Sequence, residues 1–142
     1  MIAVKPIEGN LDLEKAFEIR RRVFVIEQAV DPAEEYDEHE VHCTHFLALF
    51  NNVPAGTARI RHTDHGIKLE RFAVLQEYRG KDVGKSLVLA CLAHPDLRAP
   101  GTYVYMHAQE HALDFYARFG FETEGERFWE CNIPHFTMSK TI

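Results

Sequence analysis

What the chain lacks narrows its chemistry first. Its three cysteines, Cys43, Cys91 and Cys131, are scattered and form no CxxC pair. No disulfide is assigned, and free thiols suit a reducing compartment. No stretch approaches the roughly 18 uninterrupted apolar residues of a membrane span. Met1 to Pro6 lacks the basic and apolar regions of a signal peptide. A cytoplasmic protein with no membrane partner is expected. Basic charge is scarce as well: 16 Lys and Arg stand against 22 Asp and Glu, a net charge of -6. That balance argues against nucleic acid as the main partner, because neutralising phosphates needs a broad basic surface. Repeats, linkers and low-complexity tracts are missing. The 142 residues, 46% of them apolar, suffice for one core and leave no room for a second catalytic domain. Residues 1–142 are therefore expected to form a single domain.

What is there reads as alternating strands and helices. Ile2 to Pro6 is strand-like, and Leu11 to about Gln28 is helical, with Leu13, Phe17, Val23 and Phe24 roughly on one face. Asp31 to His42 is acidic and aperiodic and carries Pro32, so it reads as an exposed loop or short irregular helix. Three strand-like runs follow, Phe46–Phe50, Ala55–His62 and Ile67–Leu75, with hairpin residues at Asn51-Asn52 and Asp64-His65-Gly66. A helix over Val83–Ala93 and a strand over Thr102–Ala108 complete a parallel crossover. A second helix, Glu110–Phe119, ends at Gly120, where a left-handed cap is expected. Closing strands are predicted over Glu126–Cys131 and His135–Lys140. The fold class is α+β: a mixed, mostly antiparallel sheet with helices on its faces.

One local basic cluster stands out in this acidic chain. After the strand Leu69–Leu75 comes Arg79-Gly80-Lys81-Asp82-Val83-Gly84-Lys85, which opens a helix. Glycines let backbone N–H groups approach an anion, and a helix start favours negative charge. A diphosphate site fits this layout, as does an ordinary helix-entry loop. The GxGxxG fingerprint of dinucleotide folds, with its later ribose-binding acid, is missing, and so is the full P-loop G-x-x-x-x-G-K-S/T, since Arg79 stands where its first glycine would precede Gly84-Lys85-Ser86. Hydride transfer and nucleotide hydrolysis drop away.

The run Arg-Phe-Ala-Val followed by Arg79, Gly80, Val83 and Gly84 resembles the acetyl-CoA signature of the GNAT acetyltransferases, usually R/Q-x-x-G-x-G/A. Asp82 departs from it, standing where glycine is usual. The likeness extends to the ElaA/YjcF-like branch through Val23 to Gln28, His45, Ala108-Gln109, Phe115-Tyr116, Gly120-Phe121, Ile133-Pro134-His135 and Met138. It implies the GNAT acyl-CoA N-acyltransferase fold and acetyl-CoA as cosubstrate, with no metal. It further implies a splayed strand whose Phe72, Ala73 and Val74 pair with the pantetheine arm, and a phosphate loop over Arg79, Gly80, Lys81, Asp82, Val83, Gly84 and Lys85. The implied reaction moves an acetyl group to a primary amine of a small acceptor. A homodimer is compatible with it.

Such a transfer needs a neutral amine, a polarised carbonyl and a proton for the departing thiolate. The resemblance makes Tyr116 the general acid. Read alone, Tyr116 fits a buried aromatic whose hydroxyl finds a structural partner. His135 is the candidate base, since an imidazole can take up an ammonium proton at neutral pH; a histidine satisfied within the closing loop is its alternative. Arg20, Arg21, Glu27 and Gln28 on the first helix could line an acceptor pocket or be solvated helix charges. Glu35, Asp37, His39, His42, Cys43 and His45 raise a metal-binding alternative, but their spacing matches neither HExxH nor a CxxC-type site. An acyl-CoA-binding module without turnover is the remaining competitor, with Asp82 as its supporting feature.

Overall fold

The computed structural model describes residues 1–142. Seven strands form one sheet: β1 (Ile2–Pro6), β2 (Thr44–Phe50), β3 (Val53–His62), β4 (Ile67–Val74), β5 (Tyr103–Gln109), β6 (Glu122–Glu130) and β7 (Ile133–Thr141). Their spatial order is β1-β2-β3-β4-β5-β7-β6. Every neighbouring pair is antiparallel except β4 and β5. That one parallel contact exists because the chain between them crosses over through helix α3 (Val83–Leu92), the connection parallel strands require. The α+β architecture with a mostly antiparallel sheet is as expected.

Turn chemistry explains the hairpins. Asn51 and Asn52 both adopt left-handed backbone, φ 49° and 68°, the geometry whose twist matches paired antiparallel strands. Cys131 and Asn132 do the same between β6 and β7, φ 50° and 63°. Gly120 closes the short helix α4 (Leu113–Ala117) at φ 90°, as a left-handed cap should.

Strand alternation divides the core in two. Phe46, Ala48, Ala58, Ile60, Leu69, Val104 and Met106 face α3 and α4, packing against Val83, Leu87, Val88, Cys91 and Tyr116. Leu47 and Ala73 point the other way, beneath Ile19 and Val23. Helices therefore cover both faces.

The first helix departs from a uniform 18-residue reading. Helix α1 runs Asn10–Arg20, and Arg21–Glu27 continue it with π geometry. Such a widened turn is often found at functional sites. The acidic segment also departs from expectation. Asp31 caps a short helix α2 (Pro32–Glu35) by accepting from the Ala33 N–H at 2.8 Å. Glu35, Asp37 and Glu40 turn inward instead of being solvated, while Glu34 and Glu38 stay exposed. Arg20 donates to Glu35 at 2.8 Å and to Glu40 at 2.9 and 2.7 Å. Arg59, fully buried, donates to both oxygens of Asp37 at 3.0 and 2.7 Å and to Glu40 at 2.7 Å. Guanidinium groups, not imidazoles or thiolates, are what these carboxylates meet. No group of three or more His, Cys, Asp or Glu side chains is arranged to hold a metal ion.

Candidate active site

Strands β4 and β5 pair only at Ile67 with Val104 and Lys68 with Tyr105, then part. A bulge adds to the divergence: Thr57 pairs with Ala73 and Arg59 with Glu70, so β4 carries one extra residue there, and Arg71 takes φ 57°. A cavity of about 900 Å³ opens between the strands. Phe72, Ala73 and Val74 line one wall and Met106, Ala108 and Gln109 the other. Beyond Lys68 the β5-facing edge of β4 has no strand partner.

The basic loop sits at the start of α3. Its first intrahelical bond runs from the Ser86 N–H to the Asp82 carbonyl at 3.0 Å, so the helix makes no use of the N–H groups of Val83, Gly84 and Lys85. Gly80 has φ 75°, and no atom lies within 4 Å of where its Cβ would stand. Asp82 is left-handed too, φ 67°, and its carboxylate makes no capping hydrogen bond. The conformation accounts for the usual glycine here, since a Cβ strains this region. Of the loop, Arg79 alone lines the cavity; Gly80 to Lys85 lie outside its lining. Arg79 grips Glu27 with two bonds of 2.6 and 2.8 Å, and this partner lowers the Glu27 pKa.

Tyr116 and His135 line the same cavity. Tyr116, on α4, is 8% exposed. It packs edge-on against Phe72 and Phe115, with ring centres 5.7 and 5.1 Å away. Burial raises its phenol pKa, with a smaller contribution from Cys91, so the group stays protonated at neutral pH. His135, on β7, places Nδ1 2.7 Å from the Ile133 carbonyl. A carbonyl can only accept, so Nδ1 carries the proton and a neutral ring keeps its lone pair on Nε2. Phe128 stacks on the ring at 5.8 Å.

The four residues expected at the acceptor end divide. Glu27 and Gln28 line the cavity. The Gln28 amide exchanges hydrogen bonds with that of Gln109 at 3.2 and 2.9 Å, tying the π turn to β5. Arg20 and Arg21 are not in the lining, which corrects that expectation. Arg20 is 1% exposed with its donors committed to Glu35 and Glu40, while Arg21 grips Glu18 on the outer surface at 2.9 and 2.6 Å. Sequence reasoning overlooked Arg61, Lys68, Glu70, His107 and Glu130, all lining residues. The available signal was strand alternation: Arg59 and Arg61, Lys68 and Glu70, and Tyr105, His107 and Gln109 recur at every second position. His107 Nδ1 lies 3.1 Å from Glu130. Burial pushes the Glu130 carboxyl up, but His107 outweighs it and the pKa is lowered.

Comparison with known proteins agrees with this geometry. YjcF of Bacillus subtilis, named an uncharacterized N-acetyltransferase, is 34% identical over 129 residues, covering 90% of this chain and 91% of YjcF. ElaA of Escherichia coli is 31% identical over 130 residues, covering 88% and 84%. The crystal structure of ElaA superposes with a TM-score of 0.87, covering 99% of both chains. An aminoglycoside 6'-N-acetyltransferase complexed with coenzyme A shares the fold at 14% identity, with a TM-score of 0.74 over 98% of this chain and 96% of that one. Residues 11–142 match the family described as Acetyltransferase (GNAT) domain. With the splayed strands, the glycine loop and this match over nearly its whole length, the chain belongs to the GNAT acetyltransferase family.

Proposed function

We propose that the protein is an N-acetyltransferase that moves the acetyl group of acetyl-CoA directly to a primary amine of a small acceptor. The observation that carries this reading is convergence: the open edge of β4, the Tyr116 phenol and the His135 imidazole all border one cavity. The residues present fit the cosubstrate. The N–H groups of Val83, Gly84 and Lys85 are free of the helix, the surroundings of Gly80 are open, and Arg79, Lys81 and Lys85 add positive charge. These residues would hold the diphosphate, and β4 at Phe72, Ala73 and Val74 would take the pantetheine arm. Acetyl-CoA supplies the acetyl group as a thioester.

The chain's own groups handle the protons. His135 Nε2 accepts one from the acceptor's ammonium, leaving a nucleophilic neutral amine. The Tyr116 hydroxyl holds one for the departing sulfur, and its raised pKa keeps that proton in place until negative charge develops. Phe72, Phe115 and Phe128 around these two groups exclude water. Calorimetric titration with acetyl-CoA, followed by measurement of free thiol release against a panel of amines, tests the reading. Binding with amine-dependent release supports it. Absence of binding overturns it, and binding without release across the panel favours a binding module.

A further inference from the structure

We propose that the acceptor carries a carboxylate several bonds away from its reacting amine, and that Arg61 and Lys68 hold that carboxylate. The inference rests on the transferase reading above and names the substrate class of the same site.

The charge arrangement on the cavity wall carries it. Arg59 and Arg71 meet Asp37, Glu35 and Glu40. Arg61 and Lys68, cross-strand neighbours on β3 and β4, have only Glu70, at 2.6 and 3.1 Å, and Arg59 shares that carboxylate at 3.0 Å. Arg71 reaches it more loosely, at 4.0 Å, so one carboxylate serves four cations. Arg61 uses only Nε in this contact, and its two terminal nitrogens make no hydrogen bond within the chain. Both side chains line the cavity and are partly open to it, 24% and 12% exposed. Paired donors on a guanidinium beside an ammonium suit a carboxylate. Two lining carboxylates have no Arg or Lys salt-bridge partner, Glu130, held by His107, and Glu34, beside the Cys131 thiol; with Cys131 and His39 these are the other charged or titratable groups nearby. Glu130 opposes an anion at its own position and favours the acceptor's ammonium.

Strand register sets the spacing. Lys68 pairs with Tyr105, and His135 pairs with Gln109, four residues further along β5. At about 3.3 Å per residue along β5, and with β4 and β7 on opposite sides of it about 10 Å apart, the anion and proton-accepting ends start about 16 Å apart. Side chains reaching inward shorten that by several ångströms. An α-amino acid, with amine and carboxylate on the same carbon, is too short for this gap; an ω-amino carboxylate spans it.

The test compares ω-amino carboxylic acids, from glycine to aminohexanoate, with n-alkylamines of equal chain length, by thiol release and by calorimetric binding to the protein in the presence of CoA. The expected result is a kcat/KM that rises with chain length for the acids and exceeds that of the matched alkylamines. In Arg61→Gln and in Lys68→Met, the acid-to-alkylamine ratio of kcat/KM falls about tenfold or more, the loss expected for a charge-assisted contact. Arg61→Lys restores part of it. A ratio removes any general damage from lost pairing with Glu70, and thermal melts check that each variant folds. A preference for alkylamines, a ratio unmoved by both substitutions, or no binding of any acid overturns the proposal. Alkylamine-dependent release with no acid preference leaves the transferase reading standing while this one falls.

Discussion

Acid should weaken this protein through Glu70 in particular. The carboxyl is 6% exposed and touches Arg59, Arg61 and Lys68. Burial alone would raise its pKa, but Arg59, Lys68 and Arg61 together outweigh burial and bring it from 4.5 to about 2. The native pKa is depressed, so the contribution is fully present above the unfolded value and is lost as pH falls towards 2. At about 1.4 kcal/mol per pH unit, the contribution amounts to about 3 kcal/mol, of which about 2 kcal/mol is gone by pH 3. Asp37 is depressed too, burial being overcome by Arg59, so it adds to the acid loss without distinguishing wild type from a Glu70 variant. Glu70→Gln should cost about 3–5 kcal/mol at pH 7, because it strands buried cations. Urea unfolding of both proteins from pH 7 to pH 3 measures the difference, which should shrink by about 2 kcal/mol as wild type loses what the variant never had. A difference that stays constant across that range would refute the assignment of Glu70 as the ionised hub of the wall.

Three further outcomes can be checked independently. Tyr116→Phe should lower kcat by about 10²–10⁴-fold, while the melting temperature moves little, because the hydroxyl has no hydrogen bond within the chain to lose; unchanged kcat would remove Tyr116 from the proton transfer. Asp82→Gly should relieve left-handed strain and add up to about 1 kcal/mol of stability. It should also tighten acetyl-CoA binding several-fold at low salt, with the gain fading as salt rises; weaker binding would assign the carboxylate a supporting role. Cys91 is completely buried, and burial pushes its thiol up to about 12, so iodoacetamide should spare it at pH 8 until urea unfolds the chain.

Legibility from sequence followed the range of the interactions involved. The asparagine hairpin, the glycine cap and the basic helix start depend on a few consecutive residues, and all three lie where local chemistry put them. Strand β6 was read four residues short at its start because Glu122–Glu126 is exposed at the sheet edge and carries no inward-outward alternation. The π turn after Arg20 was invisible, since a shift of backbone bonding register leaves no mark on residue choice. The acidic segment was misread for a different reason: Glu35 finds Arg20 15 residues away, and Asp37 finds Arg59 and Arg71 at separations of 22 and 34. Within any short window those carboxylates look solvated.

The same distinction divides the site. Its phosphate end is a contiguous loop and helix start, which explains why a short motif can announce it. Its acceptor end is assembled from the π turn, α2, β3, β4, β5, β6 and β7, with one to a few side chains from each. Arg61 and Lys68 read as outward strand charges until β3 and β4 are paired and the departure of β5 opens the wall to the cavity. Exchange of one alternating polar residue on such a wall leaves strand pairing intact, because the backbone ladder does not use the side chain. The acceptor end can therefore be re-tuned without disturbing the loop or the proton-handling pair, and specificity has to be sought in strand residues with no motif of their own.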